Sequence, residues 1–220
     1  MMGRIKLILA AIILISSAGT AQEYTAGLLA GGTWQGPGLE LQATASRFAQ
    51  GFPFILRLAA GRYSLDPGDP AAARRIFIND NTNGVPSKDG HFWSLRLDFL
   101  YPVQWFSWKR LYFYGGPRRS YFTGHFEYVG GNEDFEVTSG SWGVGAGLEK
   151  HYAISRNLDL LLTAGADYQA KSTLSGHDTA YSPNGESVNG RKTFTYNDAD
   201  EAIRQPLIVP RLLIGAVYRF

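Results

Sequence analysis

Apolar residues recur at every second position along most of this chain, and between residues 24 and 220 no 3.6-residue period is sustained. That is the repeat of strands with two unlike faces. Leu39, Leu41, Ala43 and Ala45 alternate with Glu40, Gln42, Thr44 and Ser46; Trp93, Leu95, Leu97, Phe99 and Tyr101 alternate with Ser94, Arg96 and Asp98. Trp142, Val144, Ala146 and Leu148 are interleaved with Gly143, Gly145, Gly147 and Glu149. The same pattern runs through Leu158–Tyr168 and Ile208–Phe220. With Tyr24–Trp34, Phe54–Tyr63 and Leu111–Val129 there are eight segments, an even count of strands about ten residues long. The pattern predicts an all-β fold, an eight-stranded antiparallel up-and-down transmembrane β-barrel.

The connections are of two kinds. Those at Ala49–Pro53, Gln104–Arg110 and Ala153–Asn157 are short, whereas 66–90 and 171–205 are long, and a Gly-rich link falls in 130–136. Short turns at the end that carries both termini and longer loops at the other match periplasmic turns and extracellular loops, so both termini are expected in the periplasm. In the fifth segment the apolar set changes parity, from Leu111 and Phe113 to Phe122, Phe126 and Tyr128. A β-bulge at Gly115-Gly116-Pro117 is therefore expected. This segment has 19 residues, about 60 Å extended, and is expected to project beyond the bilayer with the sixth, exposing Tyr121, Phe126 and Tyr128.

Alternation alone does not say which face is inside. The less apolar face is rich in Gly, Ser and Thr, which suits a narrow lumen better than a solvated surface. Aromatic residues on the apolar face gather at its two edges, with Tyr24, Phe54, Tyr101, Tyr152 and Tyr218 at one and Trp34, Trp93, Trp142 and Tyr168 at the other. Two such girdles are expected at the headgroup levels of a membrane. Arg47, Arg62 and Lys150 lie on this face only at strand ends, where a charge costs about 0–1 kcal/mol against about 2–4 at the midplane. Glu40, Arg57, Arg96, Asp98, Glu149, Asp159 and Asp167 then point into the lumen. There they must pair, as a polar plug that fixes the strands or as a gated ion path.

Residues 1–21 read differently. Arg4 and Lys6 precede an apolar run, Leu7–Ile15, and a small-residue stretch ending at Ala21, the signature of a secretory signal peptide cleaved before Gln22. The run is far short of the ~20 residues of a spanning helix. The expected organisation is a signal peptide, 1–21, and a barrel domain, 22–220. Of the 21 basic residues two lie in that leader, so those remaining equal the 19 acidic ones. A neutral chain is not expected to bind nucleic acid. It has no cysteine, hence no disulfide, thiolate nucleophile or Cys-based zinc site.

The ending Arg211-Leu-Leu-Ile-Gly-Ala-Val-Tyr-Arg-Phe220 has a terminal aromatic residue and alternating apolar positions. It resembles the signal by which the barrel-assembly machinery of the outer membrane recognises its clients, with Tyr218 and Phe220 as the recognised residues. The whole mature chain resembles the OmpA/OmpX-type eight-stranded outer-membrane barrels, without a peptidoglycan-binding domain. The resemblance implies location in the outer membrane of a Gram-negative-type cell, contact with membrane lipid and lipopolysaccharide, and no cofactor.

Candidate chemistry is sparse. His125 with Glu127 and Ser120, and Ser175 with His177 and Asp178, are the groupings closest to a hydrolytic triad. Neither has the His-x-Ser pattern associated with lipid A deacylases. Asn79-Asp80-Asn81-Thr82-Asn83-Gly84 resembles the start of a calcium loop, but the twelfth position is Gly90 where a bidentate Glu is needed, so no metal is expected. Asp198, Asp200 and Glu201 read as a solvated loop tip. Arg118 and Arg119 are placed to meet lipopolysaccharide phosphates if the bulge leaves them at the membrane edge. The expected function is a structural or surface-binding role through the extracellular loops, for a ligand the sequence does not name. A small low-conductance pore and a lipid A-modifying enzyme are the alternatives.

Overall fold

The computed structural model describes residues 23–47, 51–105 and 107–220. The expected signal peptide lies outside the described residues. Eight antiparallel strands form the barrel: β1 (Glu23–Thr33), β2 (Gly36–Ser46), β3 (Ile55–Leu65), β4 (Val85–Val103), β5 (Leu111–Val129), β6 (Asp134–Ala153), β7 (Leu158–Gln169) and β10 (Ile208–Arg219). Each pairs with its neighbours along the chain, and β1 pairs with β10 from Thr25 opposite Arg219 to Thr33 opposite Arg211, which closes the ring. Closure leaves no open sheet edge, as a β structure in hydrocarbon requires.

Side chains alternate as the pattern predicts. Leu28, Leu41, Leu58, Val144, Leu212 and Ile214 face outward, each more than half exposed, while Glu40, Arg57, Asp98 and Glu149 face inward and are buried. An apolar belt around the whole circumference is not sustained in water. On β6 the belt runs from Trp142 to Tyr152. Those ten steps of ~3.3 Å, tilted by ~40°, rise about 25 Å, the height of the apolar band of an outer-membrane barrel. Among the described residues no helix is long and apolar enough to cross a membrane.

β4, β5 and β6 have 19, 19 and 20 residues and rise past the belt, whereas the other five barrel strands have 11 or 12. Above Trp93, Tyr121 and Trp142 the sides exchange character. Phe92, Phe122, Phe126, Phe135 and Val137 point inward and are buried, while Thr123, His125 and Glu127 point outward. The bulge expected at Gly115–Pro117 is absent: β5 pairs with β6 in one register from Leu111 opposite Lys150 to Glu127 opposite Asp134. Its register with β4 is likewise the same on both sides of a gap at Gly116–Pro117, where proline has no N–H to give. The parity change is thus a change of surroundings. Within the membrane the outside is oily and the inside carries the buried charges; above it the outside is water and the inside is apolar. For the same reason Phe126 and Tyr128, expected to be exposed, are buried, and of that trio Tyr121 alone faces out.

That apolar interior is closed by the long connections, which are not the open loops expected at 66–90, 130–136 and 171–205. Val85–Gly90 already belongs to β4, and Asp134–Glu136 to β6, which leaves only a turn at 130–133. Helix α1 (Pro70–Phe77) starts at Asp69, whose carboxylate accepts from Ala71 N (2.8 Å) and Ala72 N (3.2 Å), with Pro70 in the first turn. Helix α2 (Tyr196–Ala202) starts with a capping box between Thr195 and Asp198. A small hairpin, β8 (Leu174–Gly176) and β9 (Thr179–Tyr181), continues the sheet beside the upper part of β6. Helices of eight and seven residues are marginal alone. These persist because Ile76, Phe77, Ala199 and Ala202 join Leu174, Tyr181, Phe122 and Phe126 in one apolar cap over the barrel mouth.

Candidate functional site

All seven residues expected in the lumen are there, none more than 5% exposed. Their partners include residues that the sequence reading did not single out. Arg57 holds Asp98 through Nε (3.0 Å) and Nη2 (2.8 Å), and its Nη1 meets Glu149. Arg118 reaches Asp98 Oδ1 at 2.6 Å and Asp167 Oδ1 at 2.7 Å. Arg211 contacts Asp167 at 3.0 Å and, more distantly, Glu40 at 3.9 Å. Glu40 also pairs with Arg96 and accepts from Tyr63 Oη at 2.9 Å, and Arg96 Nη1 lies 3.5 Å from Asp98. These contacts make a closed circuit of alternating charge, Asp98, Arg118, Asp167, Arg211, Glu40 and Arg96, drawn from β2, β4, β5, β7 and β10. Arg57 hangs from it over the Tyr114 ring, 4.5 Å from the centroid.

Asp159 lies apart, at the end that carries the termini. It is held by Arg110 and by Arg219 (3.0 Å), while His151 bridges the two groups, 2.9 Å from Glu149 Oε1 and 3.5 Å from Asp159 Oδ2. Charged side chains thus occupy the lumen at two levels, as the interior of an eight-stranded barrel allows. Glycines make this possible. A Cβ on Gly145 would sit 1.9 Å from Asp167 Oδ1 and 2.6 Å from Arg118 Nε, so the strand wall opposite the circuit has no room for one.

The cap is tied at its rim by polar groups outside the membrane. Asp66 receives Lys88 Nζ (2.6 Å) and Arg204 Nη1 (3.0 Å); Arg191 binds Asp80 (2.5 Å) and Lys171 binds Asp200 (2.6 Å). Partial burial would raise the Asp66 pKa, but the bond from Lys88, with help from Gly68 N and Arg204, holds it below the usual carboxylate range. The bond from Arg191 does the same for Asp80, and those from Thr195 for Asp198. Arg74 is buried over the Tyr128 ring, 4.2 Å from its centroid, and bonds Asn79 Oδ1 (3.2 Å) and Asn83 O (2.9 Å).

These contacts decide the other candidates. In the calcium-like stretch Asn79 Oδ1 and Asn81 Oδ1 accept backbone N–H groups two residues on, and Asp80 is engaged by arginine, so the oxygens serve the turn. The pleat divides the first triad grouping: Ser120 is buried inside, whereas His125 and Glu127 face out and His125 meets Asp134 at 3.3 Å. His177 and Asp178, 3.3 Å apart, are both open to solvent. Asp198 and Asp200, expected in a solvated loop tip, lie instead in α2, where Asp198 completes the capping box and Asp200 anchors Lys171. Arg118, expected near lipid phosphates, is fully buried in the circuit. The girdle residues Trp34, Trp93, Trp142 and Tyr168 face out at the capped end of the belt, and Tyr101, Tyr152, Tyr218 and Phe220 at the other.

A closed eight-stranded ring with a lipid-facing belt, aromatic girdles and a charged interior is an outer-membrane β-barrel. No protein-family profile matches the chain, and no curated protein matches it in sequence. Among solved structures it is similar to a major outer membrane protein from Thermus thermophilus, with 25% identity and a TM-score of 0.71 over 91% of this chain and 100% of that one. Two more distant similarities are to Ail, the attachment invasion locus protein of Yersinia pestis (13% identity, TM-score 0.48, 90% and 97% covered), and to Neisserial surface protein A (16%, 0.42, 92% and 100%). The protein resides in the outer membrane.

Proposed function

We propose that this barrel is a non-enzymatic surface protein that presents its folded cap outside the cell and whose lumen is a structural plug. The cap carries this reading. A barrel that served only as a membrane staple would need short turns at both ends, yet two helices, a hairpin and three overlong strands extend the apolar core beyond the belt. Rigid extramembrane surface of that extent suits recognition. In this reading the termini lie in the periplasm, residues 1–21 direct export, and Tyr218 and Phe220, whose rings meet edge to face at 5.2 Å, are read by the barrel-assembly machinery.

The test compares cells lacking the protein, cells carrying it, and cells carrying a variant with 66–84 and 170–207 replaced by short turns, scored for adhesion and for envelope integrity. The trimmed variant is expected to restore integrity and not adhesion. Equal adhesion with and without the cap would end the surface-binding reading. An altered lipid A mass spectrum in cells carrying the protein would restore the enzymatic alternative.

A further inference from the structure

The arginines of the barrel wall almost all have a carboxylate; two do not. Arg62 on β3 and Arg119 on β5 face outward at the capped end of the belt, and neither has an ion-pair partner among the described residues. Their surroundings form one row across four strands, because Arg62 is paired with Trp93, Trp93 with Tyr121, and Tyr121 with Gly140. Arg119 starts one step lower and bends up into this row. Its guanidinium stands 4.7 Å from the Tyr121 ring centroid and 5.1 Å from that of Trp142. Gly140 provides the berth, since a Cβ there would come within 2.9 Å of Arg119 Nη2. The aromatic pair Trp93 and Tyr121 is thus flanked by two guanidiniums at the level where lipid headgroups meet the apolar belt.

Directly below Trp142, the outer surface of β6, β7 and β10 has a shallow groove of about 490 Å³. It is lined by Val144, Gly145, Ala146, Ala166, Tyr168 and Ile208, together with Asp167, which is buried toward the lumen. Arg119 stands at the edge of this apolar trough, and Arg62 lies on β3, three strands from β6 and so about 14 Å away at the usual strand spacing. Two cations so spaced beside an apolar trough match one kind of occupant, a lipid with separated phosphates at the headgroup level and an acyl chain below them. Guanidinium pairs with phosphate through parallel N–H donors and stays charged at any pH the membrane meets.

We infer that Arg62 and Arg119, with Trp93, Tyr121 and Trp142, form a binding site for a phosphate-bearing membrane lipid whose acyl chain lies in the groove beside β6. The orientation proposed above enters only in assigning this lipid to the outer leaflet. The site itself is tested without it.

The full chain is placed in phosphatidylcholine nanodiscs containing diphosphorylated lipid A or its dephosphorylated form, and bound lipid is counted by native mass spectrometry. The wild type is expected to retain the phosphorylated lipid preferentially. Arg62→Gln/Arg119→Gln is expected to lose that preference by about tenfold, the equivalent of one charge-assisted contact. Arg156→Gln, which removes an arginine at the opposite end, is expected to change nothing. Unshifted mobility of unheated protein on SDS gels verifies that each variant is folded. Equal retention by the double variant, equal retention of the dephosphorylated lipid, loss of preference in Arg156→Gln, or displacement by inorganic phosphate at matched concentration would each overturn the site.

Discussion

The lumen charges are individually replaceable only at a cost set by what each leaves behind. Arg57 serves two buried carboxylates at once, so Arg57→Met takes an arginine from both: Asp98 keeps Arg118 and Arg96, whereas Glu149 is left with His151. We expect a loss of about 3–5 kcal/mol, measured by urea unfolding in lipid vesicles, because Glu149 is left buried without its arginine. Adding Glu149→Gln should recover part of that loss, and full additivity would show that the pair is not coupled. Gly145 tests the same circuit through space. Gly145→Leu drives a side chain into Asp167 and Arg118 and should cost about 1–3 kcal/mol, with Gly145→Ala milder. At this scale the alternation is a good guide to the acidic residues and to Arg57 and Arg96, and a poor one to their other partners. Glu40, Asp98 and Asp167 fall on the polar parity of clean strands, whereas Arg118 follows a proline and an apparent change of parity that disguised its direction. Arg110 lies in a turn, where alternation says nothing.

Between residues and molecule, the elements carry a lesson about hydrophobic period. A strand that leaves the membrane keeps its pleat while its two sides exchange solvents, so the apolar parity must invert at the interface. In β4, β5 and β6 that inversion marks the membrane level to within a residue or two, at Trp93, Tyr121 and Trp142. Read as a bulge, it conceals the cap. The helices were missed for a different reason: eight and seven residues are too few for a 3.6-residue repeat to declare itself, and only the Asp69-Pro70 and Thr195–Asp198 caps signalled them. The cap should also respond to acid. Asp66, Asp80 and Asp198 have folded pKa values below their ordinary ones. A depressed carboxylate contributes stability above its unfolded pKa, about 3.9, and loses it as pH falls through the lower folded value. Hydrogen exchange in 66–84 and 170–207 should therefore be faster relative to the barrel strands at pH 3 than at pH 7. Asp66→Asn should speed it already at pH 7. Acid-independent protection would mean that the apolar core alone holds the cap.

For the whole molecule the question is what closes the lumen, since two closures stand in series. The cap lies over the mouth, and the circuit of Asp98, Arg118, Asp167, Arg211, Glu40 and Arg96 lies below it, spanning the interior from β2 through β5 to β10. If the circuit is the barrier, removing the cap exposes charged side chains but opens no path, because each guanidinium is fixed between carboxylates on different strands. Planar-bilayer recordings are then expected to be silent for the wild type and for the variant with 66–84 and 170–207 shortened. Arg96→Ala cuts the circuit between Glu40 and Asp98 and leaves two neighbouring carboxylates short of charge, so any conductance that appears should do so here and favour cations. Steps in the trimmed variant with intact Arg96 would instead make the cap a gate and the barrel a pore. Silence from all three would mean that packing of Tyr63, Tyr114 and the aliphatic side chains around them fills the lumen without help from the ion pairs, and that the charges serve only to hold the strands in register.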